Sequence, residues 1–169
     1  MNNKVLNELL DLFKYNYHDC CAYLQNKYGI PKEPYMIIAK SGNWRINDKI
    51  KRFKSDRLYI HHIEEIKYNL LSKLPYASEF PYEYQLPNSL CYCNVLEHLV
   101  LHFMIEKMIN RDGNNDKWGS TLVYISSFKE PENKHIADLI IENIKHSFSD
   151  TYWKKWNSYV YTLSSMRFK

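Results

Sequence analysis

The chain has 169 residues, a formal charge of +4 and 45% hydrophobic residues, the size of one domain and long enough to bury a core. No apolar run approaches the roughly 20 residues needed to span a bilayer, and the N-terminus MNNKVLNELLDLF carries acids within its apolar segment and no small-residue cleavage site. These features argue against a membrane-spanning protein or a signal peptide and predict a soluble, cytoplasmic one.

Residues Asn3 to Tyr28 read as a helix, with Val5, Leu6, Leu9, Leu10, Leu12, Phe13, Tyr17, Cys20, Cys21 and Leu24 broadly at helical period, and Gly29-Ile30-Pro31 stops it. Its apolar positions serve a core or a dimer face. His18 on this helix is expected to be partly exposed. Tyr35 to Ala39 fits a strand or a short helical turn, and Ser41-Gly42-Asn43 is turn chemistry.

A basic segment follows: Lys40, Arg45, Lys49, Lys51, Arg52, Lys54 and Arg57 stand against only Asp48 and Asp56, just upstream of a histidine pair. Such a segment suits a phosphate backbone, because each neutralised phosphate releases counterions. Trp44 beside Arg45 can stack on a base or sugar while the arginine holds phosphate, although burial in a core is the commoner fate of a tryptophan. Trp44, Arg45, Lys49, Lys51, Arg52, Lys54 and Arg57 are the candidate nucleic-acid contacts. A second basic stretch, with Lys154, Lys155, Arg167 and Lys169 and no acid after Thr151, closes the chain.

The central stretch runs from Asp56 to Met108 and holds four of the seven histidines. Leu58 to Ile63 suits a strand, and its successive side chains, His61 and His62, point to opposite faces. One can complete a metal site while the other faces a substrate. Tyr68 to Pro87, with Pro75, Pro81 and Pro87 among its aromatics, is an inserted loop rather than a long helix. Cys91 and Cys93 share a face of a short strand. Asn94 is then an N-cap, Glu97 completes a capping box, and a long apolar helix begins. On that helix His98 and His102 lie one turn apart on one face, a spacing at which two imidazoles can grip one metal ion.

Asn110 to Asp116 is a loop, Leu122 to Phe128 strand or helix, Asn133 to His146 an amphipathic helix, and Tyr152 to Leu163 an aromatic helix or extended segment. His135 and His146 are taken as surface residues. The four cysteines, Cys20-Cys21 and Cys91-x-Cys93, lack the usual zinc-knuckle spacing and read as buried free thiols.

The order His61-His62, then Asn88 before a strand, then His98-x-x-x-His102 on a helix resembles the HNH nucleases, also called His-Me finger or ββα-metal nucleases, most closely the colicin-DNase-like ligand pattern. The resemblance covers about a third of the chain. It implies an α+β fold, with a small ββα-metal core (56–110, loop inserted at about 66–87) embedded in a mainly helical single domain between a helical and basic segment (1–55) and a helical extension (111–169). By the resemblance, His61, His98 and His102 bind one divalent metal ion (Mg²⁺, Mn²⁺, Ni²⁺ or Zn²⁺), His62 is the general base and Asn88 holds the loop and base.

The loop from Glu64 to Pro87 is longer than compact versions of the motif need. Glu64 and Glu65 leave open whether a carboxylate replaces or supplements a ligand, and which of His61 and His62 is base and which ligand also stays open. The function so implied is a DNA endonuclease of restriction, phage or mobile-element type, with RNA left open as substrate and a homodimer as one way to read a palindrome. The alternatives are a metal-stabilised nucleic-acid-binding or inhibitory protein without turnover, and a toxin-type nonspecific nuclease.

Overall fold

The structure, a computed structural model, describes residues 3–109, 130–148, 150, 153 and 154. The helix expected over Asn3 to Tyr28 is two helices, α1 (Asn3–Leu12) and α2 (Tyr17–Tyr28). The amides of Phe13 and Lys14 turn back onto the carbonyls of Leu10 and Asp11 and close α1. Asn16 then adopts extended dihedrals and its Oδ1 accepts the Asp19 amide at 2.9 Å, capping a new helix. The apolar period runs across the break, so periodicity alone could not reveal it. Gly29, at φ 83°, donates its amide to the Gln25 carbonyl and ends α2.

Met36–Ile38 (β1) pairs antiparallel with Trp44–Ile46 (β2) across a turn in which Gly42 takes φ 81°. A 3₁₀ turn (Asp48–Ile50) and the short helix α3 (Phe53–Asp56) lead to β3 (Tyr59–His62). The proline-rich insertion forms 3₁₀ turns at Tyr76–Glu79, Tyr82–Gln85 and Pro87–Ser89. β4 (Leu90–Cys93) pairs antiparallel with β3, matching Tyr59 with Cys93, Ile60 with Tyr92, His61 with Cys91 and His62 with Leu90. Next come α4 (Val95–Ile109) and α5 (Pro131–Ile144). Among the described residues the fold is thus mixed α+β, with two small antiparallel sheets. No described helix is long and apolar enough to cross a membrane.

Two compact units emerge, Tyr15–His98 and the pair Met1–Lys14 with Leu99–Lys169. In the discontinuous unit α1 packs on α5. In the discontinuous unit Leu9, Leu12, Ile136, Ala137, Ile140 and Ile144 are buried, and Phe148 lies between the rings of Phe103 and Trp153. In the continuous unit α2 packs on β4, with Tyr17, Cys20, Cys21 and Leu24 buried on the helix and every side chain of β4 buried. Each fully buried leucine contributes about 1.5–3 kcal/mol. The readings of 110–116 and 122–128 lie outside the described residues, as does most of 152–163.

Candidate metal centre

β3 divides its two histidines between its faces, as the two-residue repeat of a strand requires. His61 and His62 are each only 1% exposed. His61 turns toward α2 and α4: its Nε2 is 2.8 Å from the Tyr17 hydroxyl and its Nδ1 is 3.0 Å from Nε2 of His98. His62 meets Gln85, its Nε2 lying 3.1 Å from Oε1, and its ring stands edge-on to Tyr35.

α4 is started by a reciprocal capping box. Asn94 Oδ1 accepts the amides of Leu96 and Glu97, both at 2.9 Å, while Glu97 Oε2 accepts the Asn94 amide at 2.8 Å. The other oxygen of Glu97 accepts from Lys27 Nζ at 2.7 Å and from the Tyr28 hydroxyl at 3.0 Å. The end of α2 is thereby tied to the first turn of α4, which sets the direction in which His98 projects. The helix continues unbroken through the division between the units, so helical geometry itself places His102 one turn beyond His98. Glu106, a further turn along, is also buried.

Glu65 joins this group from the 3₁₀ turn Ile63–Ile66 that directly follows β3, with Oε2 3.5 Å from His61 Nδ1. One donor atom from each of His61, Glu65, His98 and His102 lies within 4.8 Å of every other. Four donors arranged tetrahedrally around one zinc ion at about 2.0–2.2 Å would lie about 3.3–3.6 Å apart, so the widest-spaced donors would have to close by about 1 Å. Three imidazoles and a carboxylate are a donor set for a divalent transition metal.

Burial shapes the protonation of these groups. It pulls the pKa of His62 down to about 4, partly opposed by the bond to Gln85, and it does the same to His102. Both rings are therefore neutral at pH 7. Burial pushes the Glu65 carboxyl up to about 7, partly opposed by the charge of Lys73. All four cysteines are free and buried; burial raises Cys20 to about 12, and Cys91 is raised well above the usual thiol range by its hydrogen bond with Cys21 and by burial. Such thiols are poorly reactive.

Asn88 lies exposed in the turn before β4, with its backbone carbonyl 3.4 Å from Gln25 Nε2. The side chain that bonds His62 belongs to Gln85, whose Nε2 also donates to the Leu71 carbonyl at 3.0 Å. Gln85 and Tyr17 are the residues that sequence reasoning did not assign, whereas Glu65, with Glu64, was left open as a carboxylate that replaces or supplements a ligand. Glu65 had a signal in its position just after the histidine pair. Gln85 and Tyr17 had none, because their distances from His62 and His61 along the chain carry no pattern.

Of the expected nucleic-acid contacts, Arg45, Lys49 and Lys54 are exposed. Trp44 is half-buried, edge-on to Tyr82. Lys51 pairs with Asp48 at 2.6 Å. The Arg52 guanidinium bonds the Tyr28 carbonyl and Asp56 and lies over the Tyr92 ring, so it is used within the fold. Arg57 is exposed, with a left-handed backbone at φ 55°. His18, His135 and His146 are all exposed.

Compared with protein-family models, with curated proteins and with solved structures, the chain matches none.

Proposed function

We propose that this chain is a metal-dependent DNA endonuclease whose core is a ββα-metal arrangement of β3, β4 and α4. The observation that carries this reading is the meeting of His61, Glu65, His98 and His102 around one point, next in sequence to a neutral His62. His61, His98 and His102 would hold the ion, with Glu65 as a further donor. Bound there, the ion would offset the charge that grows on a phosphate oxygen and on the leaving oxygen.

The chain's own residues have separable parts in this reading. Gln85 presents its carbonyl oxygen to His62 Nε2, because its amide group is committed to Leu71. His62 therefore carries its hydrogen on Nε2 and keeps a lone pair on Nδ1, the atom that would take a proton from water. A pKa near 4 leaves that lone pair available at neutral pH, at the cost of a weak base. Arg45, Lys49 and Lys54 supply exposed positive charge for a phosphate backbone.

A second reading has support of its own. Four protein donors would fill all the positions of a tetrahedral shell, as in structural zinc sites, and His62 is almost fully buried. These two features favour a metal-stabilised nucleic-acid-binding protein without turnover.

Cleavage of plasmid and genomic DNA by the metal-stripped protein, with Mg²⁺, Mn²⁺, Ni²⁺ or Zn²⁺ restored and His62→Ala as control, separates the readings. Discrete bands absent from the control support a site-specific nuclease, and a smear absent from the control supports a nonspecific one. Intact DNA under every metal, with metal bound, supports the protein without turnover. Elemental analysis of His98→Ala and His102→Ala tests the ligands; full metal content in both variants would overturn their assignment.

A further inference from the structure

We propose that Tyr17, on α2, is a positioning residue that selects Nδ1 of His61 as its metal-binding atom, an inference that rests on the metal-centre reading above. Besides the Cys21 thiol, the Tyr17 hydroxyl meets three acceptor-capable groups: Nε2 of His61 at 2.8 Å, the carbonyl of Ile63 at 2.9 Å and, more distantly, the carbonyl of His62 at 3.5 Å. A hydroxyl has one proton to donate, and a carbonyl oxygen has none. The Tyr17 and Ile63 oxygens, 2.9 Å apart, need that proton between them, so Tyr17 donates to Ile63. Its lone pair is then left for His61, and the imidazole must be the donor, from Nε2.

The consequence falls on the other nitrogen. With the hydrogen on Nε2, Nδ1 of His61 holds the lone pair, and Nδ1 is the atom that faces His98 Nε2 at 3.0 Å and Glu65 Oε2 at 3.5 Å. The ligand nitrogen is thus chosen by the hydrogen bond made on the far side of the ring. Tyr17 is 2% exposed, so bulk water does not compete for the bond.

Tyr17 reaches this place because α1 ends at Leu12 and Asn16 caps a fresh helix, making Tyr17 the first residue of α2. The Tyr17 bond to Ile63 also holds the first residue of the turn that carries Glu65. One side chain therefore orients His61 and steadies the segment that brings in the carboxylate.

The test uses the full chain, with Tyr17→Phe and, as a control on the same helix, Asn26→Ala. Nitrogen-15 NMR of the metal-free wild type, with His61 assigned, is expected to show hydrogen on Nε2; hydrogen on Nδ1 would overturn the proposal, whether or not the variant folds. Zinc affinity, measured by chelator competition, is expected to fall by about 10–100-fold in Tyr17→Phe and to stay within about twofold in Asn26→Ala, an exposed position of the same helix. Unchanged affinity and tautomer in a folded Tyr17→Phe would overturn the role of Tyr17 alone. A wild type that binds no zinc, Ni²⁺ or Mn²⁺ would instead overturn the metal centre and the ligand role with it.

Discussion

Gln85 holds His62 in one tautomer: its Oε1 lies 3.1 Å from His62 Nε2 while its Nε2 donates to the Leu71 carbonyl at 3.0 Å. The carbonyl of Leu71 can only accept, so the amide of Gln85 cannot turn over without setting two acceptor oxygens against each other and losing the bond to Leu71. Its backbone is anchored as well, because its carbonyl accepts the Tyr35 amide at 2.8 Å and the neighbouring Tyr82 hydroxyl donates to the Met36 carbonyl at 3.0 Å. The hairpin β1–β2 and the inserted loop thereby support the residue that orients the proposed base.

Gln85→Leu should lower cleavage by about tenfold or more while metal content stays full, since the change touches His62 and not the ligand group. It also leaves the Leu71 carbonyl and His62 Nε2 without this partner, so a stability loss of about 1–3 kcal/mol is expected. Metal analysis and urea unfolding check the two effects separately, and an unaltered cleavage rate would remove Gln85 from the proposed mechanism.

Glu97 should matter for stability without touching the metal. Glu97→Ala removes the capping bond and the partners of Lys27 and Tyr28, and should cost about 2–4 kcal/mol. Glu97→Gln retains the shape and removes the charge, and should cost less. Denaturant midpoints rank the variants; an alanine variant as stable as the wild type would mean that α4 does not depend on this tie to α2.

On the basic surface, the exposed charges and the engaged one should behave differently. Combined Arg45→Ala, Lys49→Ala and Lys54→Ala should weaken DNA binding and flatten its salt dependence by roughly 0.9 in slope for each phosphate that is no longer neutralised. Arg52→Ala should mainly destabilise the fold, because it removes the bonds to Tyr28 and Asp56 and the stacking on Tyr92. Titrations at several salt concentrations decide the first point, and an unchanged slope in the triple variant would reject this surface as the DNA-binding face.

Acid should destabilise the metal-free protein through His62. A histidine held near 4 when folded and near 6.5 when unfolded binds more protons unfolded, so stability falls as pH drops from about 6.5 to 4, by up to about 3 kcal/mol. His102 acts in the same sense. Glu65, raised to about 7, acts in the opposite one, because its folded form holds the proton longer. His62→Asn should therefore flatten the pH profile of the urea midpoint between about pH 4 and 6.5, and an unchanged slope would show that His62 is not buried as a neutral ring.

What the sequence determined by itself is what depends on near neighbours. The capping box of Asn94 and Glu97, the one-turn separation of His98 and His102, the opposite facing of His61 and His62, the turn at Gly42 and the proline-broken insertion follow from local geometry and were legible in order. Only the tertiary structure decided the relationships between distant segments. It broke the first helix at Asn16, where a side-chain cap interrupts a hydrophobic period that runs on regardless. It brought Glu65 to the histidines, drew Arg52 into the fold, and put Tyr17 and Gln85 on the far nitrogens of His61 and His62. A hydrogen bond across 44 residues of chain leaves no spacing to read, because its partners are brought together by the packing of α2 on β4 and of β3 beside it.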